Sequence, residues 1–345
     1  MTAVAPSVSL HQEAIATRGL RLLRLLLRSP KVTVGGLLLL AFVVMAIVGP
    51  HVAPYNPSLT STTLSLKPPS GSHLLGTTLS GQDVLSQLLD GTAPSLEVGF
   101  LASAVATLLS VIIGVSSGYF AGAGGETLSS VANVFLVIPA LPLIIIIVAY
   151  LPSRGNLTTA LVISVTGWAW GARILRAQTL SLRNRDFVVA ARAIGERTWR
   201  IMFVEMMPGL LPIIISGFLF TAVFAIVTMA GLAFLGLTDI SAWTWGTMLY
   251  WVQNDQAFTS GAWWWYVPPG LCIALLGMAL GLINFGIDEL INPRLRTTRR
   301  VGSGTVPHAP SDTTEVEHSR LRGAQELPGD KQVCEPQHAR APESE

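Results

Sequence analysis

Six long stretches without any charged residue restrict the fold of this 345-residue chain more than any other feature. About 20 apolar helical residues cross the hydrocarbon core of a bilayer, so each stretch can supply one spanning helix. In lipid the backbone must satisfy its own hydrogen bonds, and no alternating barrel pattern occurs. We therefore predict an all-α integral membrane protein with six transmembrane helices. The stretches are residues 32–50, 98–125, 127–153, 155–172, 206–238 and 256–287.

Positively charged residues predict how these helices are oriented. Twenty of the 22 Lys and Arg residues precede or begin the first helix, lie between Arg173 and Arg200, or lie from Arg294 onward. Only Lys67 and Arg154 fall in segments assigned to the other side. Cytoplasmic loops are enriched in Lys and Arg, so both termini and the loop between the fourth and fifth helices are predicted to be cytoplasmic.

The segments between the stretches divide the chain into four parts. Residues 1–30 form a basic cytoplasmic segment, and residues 31–93 hold the first helix and an outer loop. Residues 94–296 form a core of five helices, which includes a basic loop at 183–207. The tail, 297–345, is rich in Pro, Ser, Glu and Gly and is predicted to be disordered.

Tryptophan is concentrated in a second outer segment. Residues 239–265 hold six of the nine tryptophans of the chain. Tryptophan favours the membrane interface, because its ring is apolar and its N–H group needs a partner. Two interpretations follow: these side chains anchor the segment in the interface, or they form a surface that meets a partner.

Two kinds of chemistry are disfavoured by the sequence. A P-loop needs a Gly-Lys pair to hold phosphates, and none of Lys31, Lys67 and Lys331 follows a glycine. The uncharged stretches also lack the acidic and basic groups that ion-coupled secondary transporters and membrane enzymes often place in the membrane. Ion-coupled secondary transporters and membrane enzymes remain the alternative classes. If ATP drives this protein, another chain must hydrolyse it.

The basic loop between the fourth and fifth helices carries the most informative motif, at residues 186–208. Ala190 and Ala191 are small and favour helix, so a partner surface can approach them closely. Gly195 lets the chain turn after a short helix, and Pro208 begins the next span at a position that tolerates proline. The alternative interpretation is a basic helix that only lies on the membrane surface.

This segment resembles the EAA loop in permeases of binding-protein-dependent ABC importers. The family pattern is Glu-Ala-Ala, three residues, Gly, and a Pro thirteen residues beyond the glycine. Ala190, Ala191, Gly195 and Pro208 fit this spacing. Val189 occupies the place of the glutamate.

Three further stretches resemble dipeptide, oligopeptide and nickel permeases. They are residues 73–86 before the second span, 232–249 after the fifth, and 288–295 after the sixth. In the first of them, Thr78 and Gln82 replace an Asp and an Arg of the usual text. The resemblance covers roughly residues 20–296, in order and on the expected membrane sides.

The resemblance implies a type I ABC importer permease fold in a bacterial or archaeal cytoplasmic membrane, with a cytoplasmic coupling helix. It implies a second homologous permease, two ABC ATPase subunits or domains, an extracytoplasmic solute-binding protein and the lipid bilayer as partners, and no nucleic acid. It also implies that this chain binds no cofactor, with ATP and Mg held by the ATPases. The residues expected to couple to the ATPase are Asp186, Ala190, Ala191, Arg192, Gly195 and Pro208.

The resemblance also implies an imported solute. Di- and oligopeptides are commonest in this branch, and nickel, haem or another small solute are the alternatives. Pro139 and Pro142 in the third span, with Trp168 and Trp170 in the fourth, can shape a translocation path. Proline-kinked helices and packing aromatics are the simpler interpretation of these four residues.

Overall fold

The computed structural model describes residues 29–152 and 154–291, and these residues form helices joined by turns and loops, without a β-strand. A 3₁₀ turn, Thr62–Leu64, lies in the first outer loop, and a π turn, Ile201–Glu205, precedes α9. The basic residues 1–28 and the tail predicted to be disordered lie outside the described residues. The helices are α1 Pro30–Val52, α2 Val84–Asp90, α3 Thr92–Tyr119, α4 Ala123–Val137, α5 Ala140–Tyr150, α6 Asn156–Leu182, α7 Asp186–Ala193, α8 Thr198–Arg200, α9 Met207–Phe234, α10 Trp245–Asn254 and α11 Trp263–Ile291.

The number of apolar spans differs from the predicted six. In the described part of the chain, four helical segments are long and apolar enough to cross a membrane: α1, α2 with α3, α9, and α11. The bent pair α4 and α5 makes a fifth if it is counted as one span. The predicted fourth span lies in α6, which is not among them. Its Thr, Ser, Gly and Trp residues lower its hydropathy. A stretch without charged residues can therefore still be less apolar than a typical spanning helix.

The predicted third span is broken at a proline. Ile138 has an extended backbone (φ −73°, ψ 126°), and Pro139 precedes the first residue of α5. The proline ring disfavours a helical conformation in the residue before it. As a result α4 and α5 meet at a bend of 88° instead of forming one straight helix.

Small residues hold α3 and α6 close together. A Cβ atom added to Gly114 would lie 2.7 Å from the Ala172 carbonyl oxygen and 2.8 Å from the Leu175 Cβ. The Ser110 hydroxyl donates to the carbonyl oxygen of Trp168 at 2.6 Å. Small residues allow this backbone approach, which packing and hydrogen bonds stabilise within a membrane.

We expect Gly114→Ala to destabilise the chain and Gly231→Ala to leave it unchanged or more stable. Both glycines lie inside helices, where alanine is favoured by about 1 kcal/mol. The methyl group at 114 would meet α6, at a typical cost of about 1–3 kcal/mol, whereas a Cβ at Gly231 would meet no atom of residues 29–152 and 154–291 within 4 Å. Thermal unfolding of both variants in detergent tests this, and equal melting temperatures would contradict the packing.

The tryptophan-rich segment packs against the first outer loop. The Trp264 indole N–H donates to the Thr77 carbonyl oxygen at 3.2 Å, and that of Trp243 donates to the Ser58 hydroxyl at 3.1 Å. Trp245 and Trp265 are each only 1% exposed and belong to the core. These two side chains therefore pack inside the protein, where the sequence pattern suggested interfacial anchors or a partner surface.

The first outer loop is held by a buried hydrogen-bond network at the start of α2. Asp83 caps this helix by accepting from the Ser86 backbone N–H at 2.8 Å, and its other carboxylate oxygen lies 2.9 Å from His73 Nδ1. Thr78 and Gln82, the two positions that depart from the family pattern, are also joined by a hydrogen bond. Thr78 accepts from the Gln82 backbone N–H at 3.1 Å, so neutral groups stabilise the turn.

Candidate functional site

Helix α7 is a short helix with defined ends, as the sequence predicts. Asp186 lies in its first turn, where an acidic side chain interacts favourably with the helix dipole. At the other end the Glu196 N–H donates to the Ala191 carbonyl and the Gly195 N–H to that of Arg192, each at 3.1 Å. This pair of bonds is a Schellman motif. It requires the left-handed conformation of Gly195 (φ +78°).

The buried face of α7 attaches the helix to the rest of the chain. Val188 is fully buried and Ala191 is 9% exposed, and both pack with Ile201 and Met206. The side chain of Ala191 therefore faces its own chain, unlike the exposed Ala190. We expected both alanines to lie against a partner, and this packing favours that position only for Ala190.

Outside this buried face, α7 and the residue that follows it carry exposed apolar side chains. Phe187 is 46% exposed, Val189 is 52% exposed, and Ile194 just beyond the helix is 78% exposed. Ala190 is exposed as well, and Trp199 is 57% exposed; we refer to these five exposed apolar residues of the loop together as the exposed face of α7. Five exposed apolar residues within one basic loop favour a protein or membrane interaction site.

Arginines tie the α7 loop to the end of α3. Arg192 Nε donates to the Tyr119 hydroxyl at 3.2 Å, and its guanidinium carbon lies 4.8 Å from the centre of the Tyr119 ring. Arg183 donates to the Tyr119 carbonyl at 3.4 Å. Arg192, one of the residues expected to couple to the ATPase, therefore has a partner within its own chain. These contacts connect the α7 loop to α3 at Tyr119.

Pro208 lies in the first turn of α9, as predicted. A proline there costs no hydrogen bond, because the first N–H groups of a helix have no partner within the helix. Between α7 and α9 the chain forms only the single turn of α8 and the π turn. The loop therefore connects α7 to a long apolar helix through a short, packed segment.

A cavity of about 580 Å³ lies among α3, α6, α9 and α11, and we call it the central cavity. Its walls are mainly apolar, with a few hydroxyl groups, one amide and one carboxylate. Such a composition is typical of sites that bind small organic molecules. The lining residues are Thr107, Ser110, Trp170, Gly171, Ile174, Leu175, Pro212, Ile213, Ile214, Ser216, Gly217, Phe220, Thr221, Asn284 and Asp288.

The four residues predicted to shape a path are not brought together. Trp170 is 56% exposed and lines the central cavity. Trp168 is 4% exposed and packs against Phe135, with ring centres 5.3 Å apart. Pro139 precedes α5 and Pro142 lies in the first turn of that helix, at the bend.

A polar cluster in the central cavity was missed from the sequence. The Ser216 hydroxyl on α9 lies within hydrogen-bond distance of the side-chain oxygens of Asn284 and Asp288 on α11, at 3.0 Å from the latter, and can donate to either. Asn284 and Asp288 are four residues apart and so share one helix face. In the sequence, the amide of Asn284 in an otherwise apolar stretch was a signal of this cluster. Only the structure shows that Asn284 lies beside Ser216.

These features define a class of protein: an integral membrane protein of packed helices, with a cavity among its spans and an apolar helix exposed on its basic loop. Comparison with known families gives the particular assignment. Residues 110–297 match the family described as binding-protein-dependent transport system inner membrane component. Residues 19–69 match the N-terminal TM domain of oligopeptide transport permease C.

Several relatives are similar over most of the chain. The oligopeptide transport system permease protein OppC of Bacillus subtilis (strain 168) is 31% identical over 272 residues, covering 78% of this chain and 88% of the relative. The dipeptide transport system permease protein DppC of the same organism is 33% identical over 275 residues, covering 78% and 84%. The di/tripeptide transport system permease protein DppC of Pseudomonas aeruginosa (strain UCBPP-PA14) is 33% identical over 276 residues, covering 77% and 89%.

A structural similarity was also found. A chain from the MetNI methionine ABC transporter, in an inward-facing conformation, matches 59% of this chain and 94% of its own length. The sequence identity is 19% and the TM-score is 0.48.

The chain therefore belongs to the family of inner-membrane permease components of binding-protein-dependent transport systems. This membership confirms the resemblance found in the sequence. The described residues also agree with the predicted all-α membrane fold of such a permease, with the difference in span count described above.

Proposed function

We propose that this chain is a transmembrane permease subunit of an ATP-driven ABC importer for di- and oligopeptides. With a second homologous permease it forms the translocation path, and an extracytoplasmic solute-binding protein delivers the peptide. The observation that carries this proposal is the exposed face of α7, an apolar docking surface on a loop where the family has its coupling motif. The names of the relatives support the choice of peptides.

Two ABC ATPase subunits or domains bind ATP and Mg, and the exposed face of α7 docks against one of them. Ala190 and Gly195 are the contact positions, because both are exposed and small. Closure of the ATPases on ATP displaces α7, and the contacts of Arg192 and Arg183 with Tyr119 pass that displacement to α3. The permease pair then changes between inward-facing and outward-facing states.

The central cavity forms this chain's wall of the path. Its apolar walls accept varied side chains, and Ser216, Asn284 and Asp288 offer hydrogen bonds to a peptide backbone. Trp170 lines the same wall, and the second permease supplies the opposite one. The charge distribution supports cytoplasmic termini and a cytoplasmic α7 loop in a bacterial or archaeal membrane.

The experiment is to purify the complex through a tag on this chain and identify its subunits. ATP hydrolysis is then measured in liposomes with the binding protein and di- or tripeptides, nickel or haem. We expect a second permease and ATPase subunits to co-purify, and peptides to stimulate hydrolysis. Stimulation by nickel or haem alone would overturn the peptide assignment, and absence of any ATPase would overturn the importer.

A further inference from the structure

A second cavity, of about 190 Å³, lies between the first outer loop and the tryptophan-rich segment, and we call it the outer cavity. Gln87 of α2 and Trp265 of α11 are each only 1% exposed and form its buried part. Trp243, Trp251 and Asp255 line it nearer the surface. In the predicted topology this cavity opens on the side from which solute arrives.

Two residues that line the outer cavity each carry a polar atom without a partner. Within the part of the chain that the structure describes, Gln87 Oε1 and Trp265 Nε1 are buried and make no hydrogen bond. The orientation of the Gln87 amide is fixed, because its Nε2 donates to Gln82 Oε1 at 2.9 Å and to the Pro57 carbonyl at 3.3 Å. A buried polar group without a partner is unfavourable and calls for a ligand or water.

A carboxylate and two aromatic rings give the outer cavity a preference for cations. Burial raises the pKa of Asp255, and no ion pair with it is found in residues 29–152 and 154–291. Asp255 follows the last residue of α10, where the helix dipole also favours positive charge. Trp243 and Trp251 already donate their N–H groups to Ser58 and Ile240, so their rings are what they offer a cation.

We propose that the outer cavity binds the free amino terminus of a peptide before translocation. This inference rests on the proposed function. The ammonium group donates to Asp255 and to Gln87 Oε1, and the first peptide carbonyl accepts from the Trp265 N–H. A lysine side chain of a docked binding protein is a poorer occupant, because that side chain has no acceptor for the Trp265 N–H. A water molecule is a poorer occupant than an amino terminus, because it fills only about 30 Å³ and carries no positive charge to pair with Asp255.

The test measures peptide binding to the full chain in nanodiscs by calorimetry. Trialanine is the probe, N-acetyl-trialanine has its amino terminus blocked, and butylammonium mimics a lysine side chain. We expect trialanine to bind, and both other compounds to bind at least about tenfold more weakly, because a charge-assisted bond or the carbonyl bond is missing. Equal binding of blocked and free peptide would overturn the proposal.

Asp255→Asn should weaken trialanine binding at least about tenfold, since the shape is kept and the charge is lost. Asp239→Asn is the matched control. Asp239 is exposed and accepts from Ser241 through one oxygen, which asparagine retains. It should bind trialanine as the unmodified chain does. Equal effects of the two substitutions would contradict a specific site.

Trp265→Phe removes the N–H group and keeps most of the ring. It should weaken trialanine binding and leave butylammonium binding unchanged. If butylammonium binds as well as trialanine and Trp265→Phe changes neither, the site takes a side-chain cation of a docked protein and the proposal fails. Peptide-stimulated ATP hydrolysis by the unmodified complex is measured in parallel. Stimulation without binding to the outer cavity overturns this inference alone, and absence of both overturns the proposed function as well.

Discussion

Replacing Ala190 with glutamate is expected to abolish ATP-driven uptake while leaving the chain folded. Ala190 is exposed on α7, so glutamate there disturbs no internal packing. In the assembled complex it would place bulk and a charge against the ATPase. Overpacking a tight contact typically costs about 1–3 kcal/mol, and a desolvated unpaired charge costs more. Uptake of labelled peptide into proteoliposomes and ATP hydrolysis are measured together.

Ala123→Glu is the control for that experiment. Ala123 is exposed at the first residue of α4, on the same predicted side of the membrane as α7. An acidic side chain is tolerated in the first turn of a helix. This variant should retain transport. Full coupled transport by an assembled Ala190→Glu complex would show that α7 does not dock on the ATPase.

Gly81→Ala should lower the stability of the first outer loop more than any other glycine substitution considered. An added Cβ would lie 1.9 Å from the Ser61 carbonyl oxygen, and Gly81 has φ +72°. Ser61 is held in place because its N–H donates to the Ser80 carbonyl at 3.0 Å. We expect a cost of about 3 kcal/mol or more, measured by thermal unfolding with tryptophan fluorescence in detergent.

Gly122→Ala separates the clash from the backbone strain. Gly122 has φ +78° and ψ −155°, and a Cβ there would meet no atom of the described residues within 4 Å. Only the strain of a backbone conformation that is essentially restricted to glycine remains, about 1–3 kcal/mol. If both variants unfold at the same temperature, the contact between Gly81 and Ser61 does not constrain the loop.

The elements that follow from local chemistry could be predicted from the sequence. The helix at α7, its end at Gly195 and the start of α9 near Pro208 depend on residues within one or two turns. Helix propensity, a left-handed glycine and a proline in the first turn are properties of those residues themselves. Long apolar stretches likewise predicted the helical membrane fold.

Features that depend on contacts between distant segments could not be predicted. The burial of Ala191 depends on Ile201 and Met206, and the cluster at Asp288 needs Ser216 on another helix. The clustered tryptophans favour an interfacial or partner-facing position, yet Trp265 lies in the core. Sequence spacing gives the face of a helix, but it does not say which element covers that face.

The most direct test of the account is peptide uptake by proteoliposomes that contain the complete complex. Labelled trialanine is supplied with the binding protein, with ATP inside the liposomes or with an imposed proton or sodium gradient. We predict uptake that requires ATP, the binding protein and this chain, and that is lost in the Ala190→Glu complex. Uptake driven by an ion gradient without ATP, or equal uptake by a complex lacking this chain, would contradict the account.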